Sequence, residues 1–286
     1  MERLGRERFE WDELDQHHAP LALARLLHLR VVRALASLDG DERGGKQLEL
    51  VNKLLALLQA EAPRGGTAAS DHMQPPPRRL LAVLPTQDGP APPKAPPRPS
   101  IPLATSDLLV NGPHDLSMGP ELRREIESAD RIDMLCSFLK WSGLRLIEDA
   151  LKAFCARRGG AALRVLTTSY MTATDRRALD ALQEMGAQVR VSYDAQQTRL
   201  HAKAWLLHRE SGFSTGFVGS SNLSAAAMLD GLEWNVRLSQ VDNGAILQKF
   251  AATFEQYWLD TAFRRYVPEE FDEAVARTRR EGLAPF

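Results

Sequence analysis

The sequence predicts an α/β fold in which a layered α/β/α sandwich with a mixed central sheet follows a small helical N-terminal region. Between residues 106 and 265, short runs of alternating hydrophobicity take turns with runs of helical periodicity, an order typical of helices packed on a central sheet. Twelve of the 17 prolines fall between residues 63 and 102. We therefore divide the chain into a helical region (1–62), a proline-rich linker (63–105), a domain (106–265) and a C-terminal tail (266–286).

Two leucine-rich segments, 18–38 and 46–61, have apolar residues at helical spacing and are separated by glycines, which predicts a helical hairpin. Its leucine-rich faces are expected to pack on each other or on a partner. The sequence GDERGGK (40–46) has the spacing of a phosphate-binding loop, but Gln47 stands where Ser or Thr would hold magnesium, and no strand precedes it. We therefore predict that this chain does not hydrolyse ATP.

The linker contains the proline run 75–77 and the sequence PAPPKAPPRP, so it is expected to be extended and partly polyproline II. A spacer is the preferred interpretation, and a ligand for a domain of another protein is the alternative. Within the linker, the apolar segment RRLLAVLP (78–85) is predicted to dock as a short strand.

Helices and strands are predicted in alternation after the linker. The predicted helices cover residues 118–129, 142–158, 174–186, 224–229 and 245–260. The predicted strands cover residues 131–138, 162–168, 188–193, 202–208, 215–220 and 233–239. The charged tail is expected to form a peripheral helix that frays.

Composition excludes few partners. Residues 106–265 carry 19 basic and 19 acidic side chains, so net charge does not predict nucleic-acid binding, and any basic surface must be local. The two cysteines, Cys136 and Cys155, form neither a disulfide framework nor a zinc site. The charged N-terminus is not expected to be a signal peptide, and no apolar run approaches the roughly 20 residues of a membrane span. We expect a cytoplasmic protein without a membrane partner.

The most informative segment is RLHAKAWLLHRESGFSTGFVGSSN, residues 199–222. His201 and Lys203 are two residues apart and would share one face of a strand. If the next strand returns alongside, Ser220 and Asn222 come level with them. An imidazole nucleophile, a cation and neutral hydrogen-bond donors are suited to attack a phosphodiester and to stabilise its developing charge without a metal or another cofactor.

This ordered set of residues resembles the signature of the phospholipase D superfamily: His201-Ala202-Lys203 followed by Gly219-Ser220-Ser221-Asn222. The runs LLVNGP, ADRIDMLCSFLKWSGLRLIEDAL and GLEWNVRLS extend the likeness over roughly residues 105–265, to the phospholipase-D-like nuclease module found beside DEAD-like helicases in bacteria. The resemblance implies a phospholipase-D-like sandwich and metal-independent cleavage of nucleic acid, expected to be DNA rather than RNA, through a phosphohistidine. It also implies a bacterial defence or DNA-processing system with the helicase on another chain.

The resemblance assigns a further role to Glu233, eleven residues after Asn222. It matches the acidic residue that supports the catalytic histidine of a facing half. Two departures stand out. His208 occupies the place of the usual aspartate five residues after the lysine, which would put a titratable base near the site. The spacing from His201 to the Gly-Ser element is also longer than usual, consistent with extra hairpin residues.

The chain offers no second His-x-Lys pair among its seven histidines, although the mechanism needs a general acid opposite the nucleophile. Single-motif members of the superfamily complete the site by pairing two copies, so we predict a homodimer with one composite site.

Four further residues are predicted to bind substrate. Ser221 lies within the motif, and Arg199 lies two residues before His201 on the same predicted face. Lys140 and Thr168 lie at the ends of two predicted strands, where layered α/β folds place their ligands.

Two other function classes remain open at this stage. One is a catalytically degenerate nucleic-acid-binding or assembly subunit. His208 is one reason for it, and the helical N-terminus with its long proline-rich linker, which would suit an adaptor, is another. The other is a phospholipid hydrolase or transferase, which the lack of a membrane anchor or basic amphipathic helix disfavours.

Overall fold

The computed structural model describes residues 15–17, 19–62, 72–76, 98–112, 115–193 and 200–280. The chain divides into two compact units, Met1–Arg79 and Leu80–Phe286, which are treated separately below. The segment 78–85, predicted to dock as a strand, lies outside the described residues, as does Arg199. Among the described helices, none is long and apolar enough to cross a membrane.

The first unit contains the predicted helical hairpin, formed by α1 (Ala19–Ala36) and α2 (Arg43–Glu61). Gln47 Nε2 of α2 donates a hydrogen bond to the Leu35 carbonyl at 2.8 Å and so joins the two helices. None of the α1 side chains is buried, and in α2 only Leu48 is. The leucine-rich faces therefore do not form a closed core within the described part of this unit.

The second unit is built on an eight-stranded sheet with the order β1-β7-β6-β5-β2-β3-β4-β8. The strands β2, β3 and β4 are parallel, and the other neighbouring pairs are antiparallel, which confirms the predicted mixed sheet. The strands are β1 (Asp107–Leu109), β2 (Arg131–Cys136), β3 (Leu163–Thr168), β4 (Gln188–Ser192), β5 (Lys203–His208), β6 (Thr215–Gly219), β7 (Asn235–Ser239) and β8 (Phe263–Arg265).

Helices cover both faces of this sheet, because successive side chains of each strand point to opposite faces. On one face, Ile132 and Met134 of β2 pack in a large core with residues from five helices. On the other face, Leu135 and Leu166 pack against Phe254 and Trp258 of α7. The helices of this unit are α3 (Met118–Glu127), α4 (Trp141–Arg158), α5 (Arg176–Glu184), α6 (Ala225–Leu229), α7 (Gln240–Leu259) and α8 (Pro268–Arg280).

The structure differs from the sequence prediction at the margins of the sheet. The strands β1 and β8 were not predicted, because three residues are too few to show alternation. Helix α7 begins five residues earlier than predicted, with a polar first turn before a kink at Asn243. Helix α8 does not lie loosely at the periphery as expected, since Phe271 is buried in the main core.

A buried ion cluster joins segments that are distant in sequence. Glu125 of α3 binds Arg209 and Arg237, each at 2.5 Å, and accepts a hydrogen bond from the Thr215 hydroxyl at 2.9 Å. All four side chains are buried. Burial opposes ionisation of Glu125, but Arg209 and then Arg237 outweigh burial and hold the pKa of Glu125 below its ordinary value.

The same cluster explains why the predicted linker ends earlier than residue 105. Arg237 Nη1 donates to the Pro102 carbonyl at 2.9 Å and also to the Thr105 carbonyl. Ile101 and Leu103 are buried beside it. The segment 98–106 is therefore part of the second unit, because the arginine satisfies its backbone carbonyls and two of its side chains enter the core.

Glu125→Gln is expected to lower the free energy of unfolding at pH 7 by about 3–5 kcal/mol, because it leaves two buried arginines without their counter-charge. The control Glu148→Gln breaks the partly exposed pair with Lys152 and should cost far less, because a pair at i and i+4 on a helix surface contributes little. Urea unfolding of both variants measures the difference, and equal losses would contradict a dependence of the fold on this cluster.

The same stabilisation should depend on pH. Because the folded-state pKa of Glu125 is lowered, its contribution is present above the unfolded-state pKa and is lost as the pH falls through the folded-state value. The unfolding free energies of the wild type and of Glu125→Gln should therefore converge in acid.

Candidate active site

His201 and Lys203 lie together at the start of β5. Lys203 Nζ is 3.0 Å from His201 Nδ1 and 3.1 Å from its Nε2, and it donates to the His201 carbonyl at 2.8 Å. His201 is exposed, whereas only 7% of the Lys203 surface is exposed. The cation is thus held close to both nitrogens of an imidazole ring that solvent and ligands can reach.

The charge of Lys203 is not neutralised by a neighbour. Burial lowers the pKa of Lys203, while Cys136 and Glu233 act in the opposite direction. Burial raises the pKa of Cys136 to about 11, so this thiol is uncharged at neutral pH. In the described part of the chain, no carboxylate lies within ion-pair distance of Lys203. A desolvated cation without a counter-charge favours the binding of an anion.

Strand pairing brings residues 219–222 to the end of the sheet at which β5 begins with Lys203. Ala204 of β5 is opposite Val218 of β6, and beyond Gly219 the chain passes to the end of β2. There Leu223 N donates to the Phe138 carbonyl at 3.1 Å, while the Phe138 ring packs edge-on against the His201 ring with centroids 6.4 Å apart. Asn222 and His201 are therefore both positioned around Phe138.

The side chain of Asn222 has unused hydrogen-bonding capacity. Its Oδ1 atom is buried and has no hydrogen-bond partner. Since the two ends of an amide differ only in their hydrogen bonds, rotation would present either the oxygen or the NH₂ group. A buried amide oxygen without a hydrogen-bond partner leaves a position at which a ligand can bind.

The two serines between Gly219 and Asn222 have different surroundings. The Ser220 hydroxyl is exposed and donates to the Glu233 carboxylate. The Ser221 hydroxyl is buried, donates to the Ala227 carbonyl at 3.2 Å and accepts from Asn235 Nδ2 at 2.8 Å. Ser220 and Glu233 therefore border the accessible site, whereas Ser221 has a structural role beneath it.

Two glycines allow backbones to approach closely around this segment. A Cβ atom at Gly219 would lie 2.2 Å from the Trp234 carbonyl oxygen, and one at Gly143 would lie 2.4 Å from the Leu223 carbonyl carbon. Any other residue at these positions would push β7 or the start of α4 away from the segment that carries Asn222.

Comparison with known proteins agrees with this geometry. Residues 122–258 match the family model described as "Cardiolipin synthase, PLD-like domain", and this range contains all the residues placed at the site above. Residues 122–258 are therefore phospholipase-D-like. Comparison with curated protein sequences gives no significant match.

Two solved structures are similar to this phospholipase-D-like domain. One is a phospholipase D family member, Nuc from Salmonella typhimurium, with 19% identity, 57% of this chain and 97% of that chain covered, and a TM-score of 0.42. The other is NucT from Helicobacter pylori, with 14% identity, 57% and 99% covered, and a TM-score of 0.42.

The remaining predicted binding residues of the phospholipase-D-like domain are engaged elsewhere. Lys140 Nζ pairs with Asp175 at 3.2 Å. The Thr168 hydroxyl is buried and donates to the Ser192 carbonyl at 3.0 Å, so it does not line an open cleft. Arg199 is outside the described residues. Within the described residues, no group of three or more His, Cys, Asp or Glu side chains is placed to hold a metal ion.

The expectation that His208 puts a titratable base near the site is wrong. His208 ends β5, whereas Lys203 begins it, and a strand of that length separates them by about 17 Å. His208 Nε2 lies 2.6 Å from Asp133 Oδ2 on the neighbouring strand. Burial opposes ionisation of Asp133, but hydrogen bonds from His208 and Arg164 hold the pKa of Asp133 below its ordinary value. The pair supports the sheet away from the site.

Three residues that position the site were not recognised from the sequence. The Phe138 ring packs against the His201 ring, and Asn235 donates a hydrogen bond to Ser221. Gly143 lacks a side chain, which lets the backbone at Leu223 approach closely. Only Asn235 could have been found from the sequence, because it lies two residues after the motif residue Glu233 and would share its face in an extended chain. The roles of Phe138 and Gly143 depend on contacts across more than 60 residues of sequence, which periodicity does not reveal.

Substitution of two helical glycines by alanine should have opposite effects. Gly143→Ala is expected to destabilise the fold by about 1–3 kcal/mol, because its Cβ overlaps the backbone of Leu223. Gly244→Ala in α7 meets no atom within 4 Å and should stabilise by about 0.4–1 kcal/mol. Urea unfolding gives both values. A neutral or stabilising Gly143→Ala would contradict the close approach of α4 to this segment.

Proposed function

We propose that this chain is a metal-independent phosphodiesterase that cleaves nucleic acid through a phosphohistidine on His201. The observation that carries the proposal is the contact between the Lys203 ammonium and the exposed His201 ring, at 3.0 and 3.1 Å. The pair leaves a nucleophile accessible beside a cation that lacks a counter-charge. The PLD-like family model, which spans these residues, supports the same class of chemistry.

In the first step, an unprotonated nitrogen of His201 attacks the phosphorus and a P–N bond forms as the P–O bond to the leaving group breaks. The leaving oxygen takes a proton from a general acid. Lys203 and the Asn222 amide stabilise the charge on the non-bridging oxygens. Glu233, bonded to Ser220, borders the opening through which the substrate enters.

In the second step, water attacks the phosphohistidine. The P–N bond breaks, the general acid of the first step now accepts a proton from water, and His201 is released. The general acid is proposed to be His201 of a second copy, because no other His-x-Lys pair occurs in the sequence.

An exposed apolar surface beside the site supports a homodimer. Leu108, Val236 and Val218 lie side by side on β1, β7 and β6, and Trp234 continues the surface toward Glu233. These four residues, named here the β7 patch, are 39–65% exposed. Contiguous apolar surface of this kind is typical of an interface, and a second copy bound across a two-fold axis would bring its own His201 to the same edge.

The substrate class rests on the likeness of the motif and its flanking runs to the nuclease module found beside bacterial helicases. DNA, a partner helicase on another chain and a role in defence or DNA processing are proposed on the same ground. The description of the matching family as cardiolipin synthase favours phospholipid transfer as the second candidate. The degenerate-subunit alternative loses one of its two reasons, because His208 is remote from the site. Its other reason is the helical N-terminus with the proline-rich linker.

Purified wild type and His201→Ala, incubated in excess EDTA with single-stranded DNA, duplex DNA, RNA and phosphatidylglycerol, should test the function. We expect wild type to cleave nucleic acid and His201→Ala to be reduced by at least about 100-fold, as for loss of a nucleophile. Reaction with the phospholipid alone would favour the second candidate. Nucleic-acid binding without cleavage would favour an assembly subunit, and activity that EDTA abolishes would contradict the metal-independent mechanism.

Val236→Asp should convert the dimer to monomers and abolish cleavage, because it places a charge in the β7 patch. Val241→Asp is the matched control, since Val241 is similarly exposed on α7 but lies outside the patch. Light scattering gives the oligomeric state, and circular dichroism confirms folding. A folded Val236→Asp dimer with full activity would overturn the role of this surface.

A heterodimer with one His201→Ala subunit tests the composite site directly. Since each reaction needs both histidines, this species should lose about 100-fold in rate, the scale of a missing general acid. Retention of half the wild-type rate would instead indicate two independent sites.

A further inference from the structure

A cavity lies between β4, β8 and the end of α7, away from His201. Its volume is about 410 Å³ and its lining includes Arg190, Arg265, Gln188 and Trp258. Arg190 and Gln188 belong to the first half of β4, whereas the candidate active site lies where the parallel strands end. A cavity of this size is within the range of small-ligand sites.

Two arginines face each other in this cavity. Arg190 of β4 and Arg265 of β8 are direct partners in the antiparallel register, so their side chains leave the same face of the sheet at neighbouring positions. Like charges directly opposite each other on adjacent strands are destabilising. A cross-strand arginine pair therefore suggests an anion that binds between the two side chains.

These two arginines differ from the others in this corner of the fold. Arg164 pairs with Glu255 at 2.6 Å, Arg176 with Asp272 at 2.5 Å and Arg264 with Glu270 at 3.2 Å. Across the described residues, neither Arg190 nor Arg265 lies within ion-pair distance of a carboxylate. The missing counter-charge thus distinguishes Arg190 and Arg265 from these three neighbouring arginines.

The chemistry of the lining is suited to an oxyanion. Arg190 uses Nη1 to bind the Trp258 carbonyl at 2.5 Å and lies over the Trp258 ring, which fixes its guanidinium while other N–H donors remain. Arg265 is exposed, and Gln183 and Gln188 supply neutral amides at the rim. Among the residues that the structure describes, no acidic side chain lines the cavity.

We propose that this cavity binds a phosphate group, held between the guanidinium groups of Arg190 and Arg265. Arginine forms paired hydrogen bonds with phosphate oxygens, and two arginines can each bind a different oxygen of one phosphate group. The phosphate belongs either to a free nucleotide or to the backbone of a nucleic-acid strand. The ring of Trp258 is 8% exposed and is covered by arginines, so the contacts are with the phosphate and not with a base.

Arg265→Gln and Arg264→Gln form a matched pair for the test. Both remove one positive charge from adjacent positions of β8, but Arg264 points to the other face, over the Tyr193 ring, and is paired with Glu270. Arg190→Gln is the second cavity variant, with folding checked by circular dichroism because it loses the bond to the end of α7. All are made in full-length protein that carries His201→Ala, so that DNA is not consumed under the proposed chemistry.

Binding of adenosine monophosphate is measured by calorimetry, and binding of a labelled single-stranded DNA by fluorescence anisotropy. Arg265→Gln and Arg190→Gln should weaken at least one of the two at least about tenfold, the scale of one lost charge-assisted contact, whereas Arg264→Gln should not. Loss for the nucleotide alone identifies a free nucleotide, and loss for DNA alone identifies the backbone. Equal effects of Arg264→Gln and Arg265→Gln, or no effect of either cavity variant, would overturn the proposal. The result does not depend on cleavage, so it stands apart from the test of the active site.

Discussion

The architecture of the phospholipase-D-like domain depends on the burial of Glu125 between Arg209 and Arg237. The cluster joins α3, the hairpin between β5 and β6, strand β7 and the segment that precedes β1. Two buried guanidinium groups are tolerated only because their donors are satisfied by one carboxylate, several backbone carbonyls and two hydroxyl groups. Since β6 and β7 carry Ser220, Asn222 and Glu233 at their ends, the cluster also fixes the strands that form the candidate site.

Whether a charged side chain has an ion-pair partner helps to distinguish structural from functional positions in this domain. The acidic and basic side chains of residues 106–265 are equal in number, and many of them are paired. Asp133 is satisfied by Arg164 and His208, and Lys140 is paired with Asp175. Lys203, Arg190 and Arg265 are among the described basic side chains that have no ion pair. A charge that the fold holds in place without neutralising it is available to a ligand, and these three residues mark the two sites proposed here.

His208 illustrates how a sequence departure can mislead when strand direction is ignored. Its place in the motif suggested a change in catalytic chemistry. A strand of six residues separates it from Lys203, and its imidazole pairs with Asp133 on the adjacent strand. Position 208 has no carboxylate of its own, but the Asp133 carboxylate lies beside it on the adjacent strand. Asp133 binds His208 and Arg164 at the end of the strands opposite the site.

The sequence by itself determined the order of most helices and strands and the mixed sheet, because periodicity is a local property of the chain. It also predicted His201, Lys203, Ser220, Asn222 and Glu233 for the candidate site from a short motif. It could not identify β1 and β8, which are too short to alternate, or the early end of the linker, which depends on Arg237 more than 130 residues away. Tertiary structure alone decided that Ser221 and Thr168 are buried, that Phe138 and Gly143 position the site, and that Arg190 meets Arg265. Those outcomes depend on which strands become neighbours, and neighbours are selected by packing and register across the whole sheet.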